Sequence, residues 1–311
     1  MSQTAIGDAE RILRAACGER LRTGFPLAPL TSFRIGGPAA LYLEPQSEHD
    51  LGAAGTAIRE AGIPHVVIGK GSNVLVSDDG FPGLVLRLGR GYRWAARREE
   101  RLTAGAAMPL PALAGVALGH GLAGLEFGVA IPASLGGALR MNAGAHGGSM
   151  ADVVETIELF DLTDGASVSM AAGSAGFAYR RSTLPDQAVV VAATVTLSTD
   201  DPASIRDRMD EARAWRRRTQ PLAEPNCGSV FKNPADGHAA ALIEAVGGKT
   251  LTVGGAAVSA KHANFIVARP GATAADVVSL IDAVADLVEG ATGVRLEREV
   301  QLIGRFEHAS R

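Results

Sequence analysis

Three polar constellations combine residue types that could carry chemistry. Tyr179, Arg180, Arg181 and Ser182 lie between two strand-like segments. A guanidinium fixed there could hold a carboxylate in bidentate fashion and stabilise negative charge building on it. The run Asn226 to Pro234, NCGSVFKNP, presents Ser229 directly after Gly228, where the backbone can bend sharply. Such a serine could donate a proton to a developing carbanion if neighbouring charge offsets its high intrinsic pKa. The run Val294 to Leu302, VRLEREVQL, has a period of two, with Leu296, Val300 and Leu302 on one face and Arg295, Glu297, Glu299 and Gln301 on the other. Pattern alone does not choose between Glu297 and Glu299. A surface arginine, a satisfied turn serine and a solvated strand face have the same spacings. Ser229 is not in a Gly-x-Ser-x-Gly elbow, and no His or Asp stands at a diagnostic distance from it, which disfavours a Ser–His–Asp hydrolase.

Two glycine-rich loops could hold a ligand beside such groups. Gly124 to Gly148 contains seven glycines and only two charged side chains, Glu126 and Arg140. Gly69 to Asn73, GKGSN, follows a short apolar run and precedes Val74-Leu-Val76. It is not a Walker loop, because Lys70 precedes Gly71 and no helix follows, and it lacks the third glycine and helix of a Rossmann turn. Lying between two strands, its backbone amides with Ser72 and Asn73 can still cradle a pyrophosphate. A set of tight turns is the other reading of the longer loop.

Elements of both periods must position these groups. Residues 5–17 place Ile6, Ile12, Leu13, Ala16 and Cys17 at helical spacing. Further helices are expected over 47–61, closed by Gly62 and Pro64, over 109–120, begun by Pro109 or Pro111, and over 203–219, where the arginine-rich helix starts a different unit. Beyond it come helices 238–246 and 273–290, the last with the capping box Thr273 and Asp276. Strands are expected at 40–43, 65–68 (short and buried), 74–76, 84–88, 102–105, 153–161, 167–170 and 189–197, then near 250–258 and 263–268 and over Val294–Ile303. This is an α+β chain with a helical lead-in over 1–29, a unit over 30–202 in two lobes (30–88 and 89–202), a smaller α+β unit over 203–304 whose last strand returns to the site, and a tail over 305–311.

Composition narrows the function classes. The 311 residues are 47% hydrophobic and 20% charged, enough for two or three packed cores, and the net charge of −3 gives no nucleic-acid footprint. No apolar run reaches the ~20 residues that cross a bilayer. The N-terminus lacks a secretory pattern, so a cytoplasmic location is expected, and Cys17 and Cys227 have no metal-binding or redox spacing.

From about Pro26 to Gly304 the chain resembles the UDP-N-acetylenolpyruvoylglucosamine reductase family, also called UDP-N-acetylmuramate dehydrogenase. The resemblance rests on motifs that follow in the family's order: Thr31 to Gly37; Gly71 to Asn73 with Asp79 and Gly80; Gly124 to Phe127; Ile131 and Pro132 through Ala138; Met141 to Ala145; Tyr179, Arg180 and Ser182; Gly228 to Pro234; Gly254 to Ala256 with Ser259; and Glu299 with Val300. It implies a noncovalent FAD in a domain of the vanillyl-alcohol-oxidase (PCMH) type, a separate substrate-binding domain, NADPH as hydride donor and a UDP-sugar substrate in peptidoglycan precursor synthesis, with no obligate protein partner. Arg180 and Glu299 are then expected to arrange and stabilise the intermediate, and Ser229 to protonate it. The implied cofactor-binding residues are Gly69, Lys70, Gly71, Ser72, Asn73, Ile131, Pro132, Ser134, Gly136, Gly137, Asn142 and Ala143. The implied substrate contacts are Tyr179, Arg218, Gln220, Asn233 and His262. A related FAD-dependent oxidase and a non-catalytic flavin protein are the alternatives. Three departures stand out: Ala133 where the family usually has glycine, His146 for a frequent tyrosine, and no tyrosine-bearing insertion between Arg180 and Trp215, as in the family's shorter type.

Overall fold

The computed structural model describes residues 3–306, so only the first two positions of the expected tail fall within it. Apolar side chains gather in three clusters, and these explain how the chain divides. One compact unit takes the chain up to Thr23, Leu41–Lys70 and Gly83–Arg216; the other takes Gly24–Ala40, Gly71–Pro82 and the chain from Arg217 onward.

The first unit holds two clusters, both fed by the strands Val154–Asp161 and Ala188–Thr196. Its main antiparallel sheet has the order Ser167–Ala171, Val154–Asp161, Ala188–Thr196, Arg101–Gly105, Ala95–Arg98. Strand Ala188–Thr196 is apolar on both faces because each face meets a core. Val189 and Val191 join one cluster, while Val190, Ala193 and Val195 join the other. Helices α1 (Gln3–Cys17) and α2 (Glu48–Ala61) cover the former, with Ala9, Leu13, Leu51 and Ala54 fully buried. The lead-in helix is thus part of a core rather than an appendage. Helices α3 (Leu110–Gly119) and α4 (Leu135–Arg140) belong to the latter, and Pro109 begins α3 as the residue before its first turn. His65–Val67 pairs in parallel with Leu84–Leu86 but is only half-buried, and Val67 is exposed, so the buried strand expected there is a boundary strand.

Helix α5, Pro202–Thr219, stays with the first unit as far as Arg216 instead of opening the second. Its Ile205, Met209 and Ala212 are buried among Leu122, Leu125 and Leu197, and Arg208 bonds Glu126 at 2.7 Å and Asp200 at 2.6 Å.

The second unit contains a small antiparallel sheet of Thr252–Val253, Ala256–Val258 and Ile266–Ala268, with α6 (Ala239–Ala245) and α7 (Ala274–Thr292). Its core includes Phe33, Ile35 and Leu75 beside Cys227, Val230 and Ile281, and these three residues bind their distant chain segments into the unit. Asp78 fastens one of them by accepting from Ala274 N and Ala275 N at the start of α7, at 2.8 and 3.0 Å. Val74–Val76 then pairs in parallel with Gln301–Ile303. The final strand expected over Val294–Ile303 is regular only over those last three residues, since the segment changes partner on the way. Glu299 N bonds Val230 O, whereas Gln301 N bonds Asn73 O.

No described helix is long and apolar enough to cross a membrane.

Candidate active site

In the first unit Gly69, where one glycine-rich loop begins, lies against Ser134 of the other. A Cβ on Gly69 would meet the Ser134 hydroxyl and force it to turn away, so glycine lets the two stand together as they do. Ser134 is buried and caps α4 by accepting from Gly137 N at 3.4 Å. Among the described residues the backbone N–H groups of Gly69 and Lys70 donate to no protein acceptor, and the Lys70 side chain is exposed. This donor set suits an anionic group such as the pyrophosphate of FAD.

The rest of the loop is more fully used by the protein itself. Gly136 N donates to Ala106 O, and Ala143 donates to Ala138 O while accepting from Met150 N. Ile131 packs against the core and Pro132 is exposed. Ala133, the departure at the expected glycine, does not take positive φ, so its Cβ costs no backbone strain there. It packs against the core, and its carbonyl accepts from Leu110 N. His146 takes φ +52° and sets its ring edge-on to Trp215, with centroids 5.0 Å apart.

Tyr179 and Arg180 form the tip of a two-residue turn closed by Ala178 and Arg181, whose backbones exchange hydrogen bonds of 3.0 and 3.1 Å. Arg180 stands at φ +54° with its guanidinium 5.1 Å from the Tyr179 ring centroid. Asn142, expected to contact a cofactor, is buried, with Nδ2 donating to Ala178 O and Oδ1 accepting from Ala151 N. Arg140 donates to Leu184 O, Pro185 O and Ala188 O.

In the second unit the segments bearing Ser229 and Glu299 run together. Gly228, at φ +83°, turns the chain with Asn226 Oδ1 accepting its N–H at 2.9 Å. Among the described residues Ser229 Oγ has no hydrogen-bond partner. The next residue, Val230, accepts from Glu299 N at 2.8 Å, and Phe231 bridges to Arg298. Asn73 Nδ2 donates to Glu299 O at 3.2 Å, bringing the Gly71–Asn73 loop to the same place. Gly71 packs so closely on Leu30 O that no Cβ fits. Ser72 is half-buried. Glu297 is exposed and ion-paired with Lys232.

Asn264, which the sequence reading missed, is buried and holds both sides of Phe231: Oδ1 accepts from Phe231 N and Nδ2 donates to Phe231 O. A lone amide within the apolar run Ala263 to Val267 was its only signal.

Of the expected substrate contacts, His262 is half-buried, with burial and then Lys249 pushing its pKa below 6.5. Its Nδ1 accepts from Asn264 N, so the neutral ring carries its proton on Nε2. Asn233 Oδ1 caps the start of α6 through Ala239 N. Arg218 is exposed and Gln220 half-buried. Burial, with Glu299 as a second cause, raises the pKa of the Cys227 thiol, leaving it an inert core group.

Comparison with known proteins adds to this geometry. A family model described as an FAD binding domain matches residues 39–171, and one described as the C-terminal domain of UDP-N-acetylenolpyruvoylglucosamine reductase matches residues 220–303. A UDP-N-acetylenolpyruvoylglucosamine reductase of Heliobacterium modesticaldum is 46% identical over 281 residues, covering 90% of this chain and 89% of that protein. One from Anaeromyxobacter sp. is 46% identical over 303 residues, covering 96% and 94%. The crystal structure of the Thermus caldophilus UDP-N-acetylenolpyruvylglucosamine reductase matches with a TM-score of 0.78 at 35% identity, covering 91% of this chain and 98% of that one.

Proposed function

The chain belongs to the UDP-N-acetylenolpyruvoylglucosamine reductase family of FAD-dependent oxidoreductases, which act in peptidoglycan precursor synthesis, and from that premise we propose that it reduces the enolpyruvyl ether of UDP-N-acetylglucosamine enolpyruvate to UDP-N-acetylmuramate with NADPH as hydride donor. FAD, when bound, supplies to the terminal alkene carbon the hydride it has taken from NADPH. Gly69, Lys70, Gly71, Ser72 and Asn73, with Ile131, Pro132, Ser134, Gly136 and Gly137, are the residues that would hold it noncovalently. The unspent N–H groups of Gly69 and Lys70 support this reading.

The chain's own residues then handle charge and proton. The electron pair displaced by the hydride comes to rest on the carbon next to the carboxylate. Arg180 offsets that charge through its guanidinium, a preorganised cation that gains most where negative charge develops. Ser229 Oγ delivers the proton to the same carbon, so the alkene gains one hydride and one proton. Glu299 orders the reacting centre from the segment hydrogen-bonded to Val230. Tyr179, Arg218, Gln220, Asn233 and His262 bind the UDP-sugar, His262 as a neutral Nε2–H donor.

The observation that carries the assignment is the backbone pairing that brings Ser229's segment against Glu299, with the serine hydroxyl left without a partner among the described residues. Ser229→Ala should leave flavin reduction by NADPH intact while slowing reoxidation by the enolpyruvyl substrate by roughly 10²-fold or more. Equal losses in the two half-reactions, measured by stopped flow, would reject the role. A wild-type protein whose NADPH oxidation does not depend on the UDP-sugar would reject the function itself.

A further inference from the structure

The turn that presents Arg180 is held from outside itself. A two-residue turn whose second central residue has positive φ favours glycine or asparagine there, and arginine persists in that conformation only where the surroundings fix it. The Ala178 carbonyl is the fixed point: it accepts Arg181 N at 3.1 Å within the turn and Asn142 Nδ2 at 3.0 Å from the glycine-rich stretch. Asn142 is itself anchored, at φ +40°, by Ala151 N on its Oδ1. Both ends of its amide are therefore spent on backbone. Two residues earlier, Arg140 O accepts from Ser182 Oγ at 2.8 Å, and the half-buried Arg140 guanidinium gathers three carbonyls between Leu184 and Ala188. The arm bearing Arg180 is pinned on both sides of the turn.

We propose that Asn142 is a positioning residue for Arg180, acting through the Ala178 carbonyl and not by contact with the cofactor. The inference rests on the reading of Arg180 given above. Its physical content is that the side-chain amide fixes the height and twist of the turn tip, and with them the aim of the guanidinium. A misplacement of about 1 Å at such a group can cost about 10²-fold in rate.

Asn142→Asp isolates the clamp. Aspartate has the same shape, tolerates positive φ and keeps the acceptor for Ala151 N, but its carboxylate cannot donate to Ala178 O. Reoxidation by the UDP-sugar enolpyruvate should slow roughly 10–100-fold, the loss falling on kcat with KM changed by less than about threefold. Flavin reduction by NADPH and FAD affinity, the latter read by fluorescence titration of apoprotein, should stay within about twofold of wild type. Trypsin should cut faster after Arg180 and Arg181 in apoprotein and holoprotein alike. In an Arg180→Ala background Asn142→Asp should cost nothing further. Ser182→Ala, which removes only the bond to Arg140 O, should give a weaker version of the same pattern and serves if the aspartate variant does not fold.

Lost FAD affinity with unchanged cleavage at the turn would overturn the proposal, as would additive losses in the double variant. If Arg180→Ala is slow and Asn142→Asp is not, this inference alone falls. If Arg180→Ala leaves reoxidation unchanged, the role of Arg180 falls and the positioning role with it.

Discussion

Arg34, Asn142, His146 and Arg180 take positive φ, and all four lie in motifs or departures picked out of the sequence. Each such residue costs on the order of 1–3 kcal/mol, so their concentration marks where shape is kept at the expense of stability. Glu99, at φ +55° in the exposed turn between Ala95–Arg98 and Arg101–Gly105, lies in none of these motifs and provides a contrast. Glu99→Gly should raise stability by about 0.5–1 kcal/mol in denaturant unfolding without changing turnover. Histidine protonation gives a second expectation. Burial lowers the pKa of His65 from its ordinary 6.5. On acidification the unfolded chain takes up the proton first, so stability falls as pH drops below about 6.5 toward the depressed folded value. Melting temperature should fall over that interval, and His65→Gln should flatten the slope. Candidate site residues could be picked out because motif and order mark them. The partners of Asn142 and Asn264 were not, since an amide's choice between ligand and backbone depends on contacts far away in sequence.

Elements were most legible where the signal is local. The capping box read from Thr273 and Asp276 closes as expected, with Thr273 Oγ1 accepting from Asp276 N and Asp276 accepting from Thr273 N, both at 3.0 Å. The other anchor of α7 could not be read, because Asp78 lies 196 positions from Ala274. Asp78→Ala should destabilise the second unit by about 1–2 kcal/mol through the lost helix-end bonds, measurable as a lower unfolding midpoint. The segment from Val294 illustrates the opposite failure. Its alternation reads as one long strand, yet it serves Val230 first and Val74–Val76 afterwards, and a change of partner leaves no mark on periodicity. Helix α5 misled for a related reason: its arginines suggested a fresh start, while Ile205, Met209 and Ala212 tie it to the unit before it.

Across the whole molecule, the α+β class and the motif order could be read from the chain, whereas the interleaving of its two units could not. Phe33, Ile35 and Leu75 look like any strand or turn hydrophobes, and nothing near them in sequence says that their core is completed by residues beyond 217. That arrangement bears on how the protein is born. Asn73 meets its partner Glu299 across 226 positions, so on a ribosome adding ~5–20 residues per second the loop and the strand beside it wait roughly 10–45 s for their neighbours to emerge. During that time Val74–Val76 is an apolar edge without its mate. Arrested nascent chains ending before Arg298 should be cut by protease between residues 71 and 82 and should bind chaperone there, and chains released through Ile303 should resist both. Synthesis of Gln301–Ile303 is thus the step that supplies Val74–Val76 with its mate.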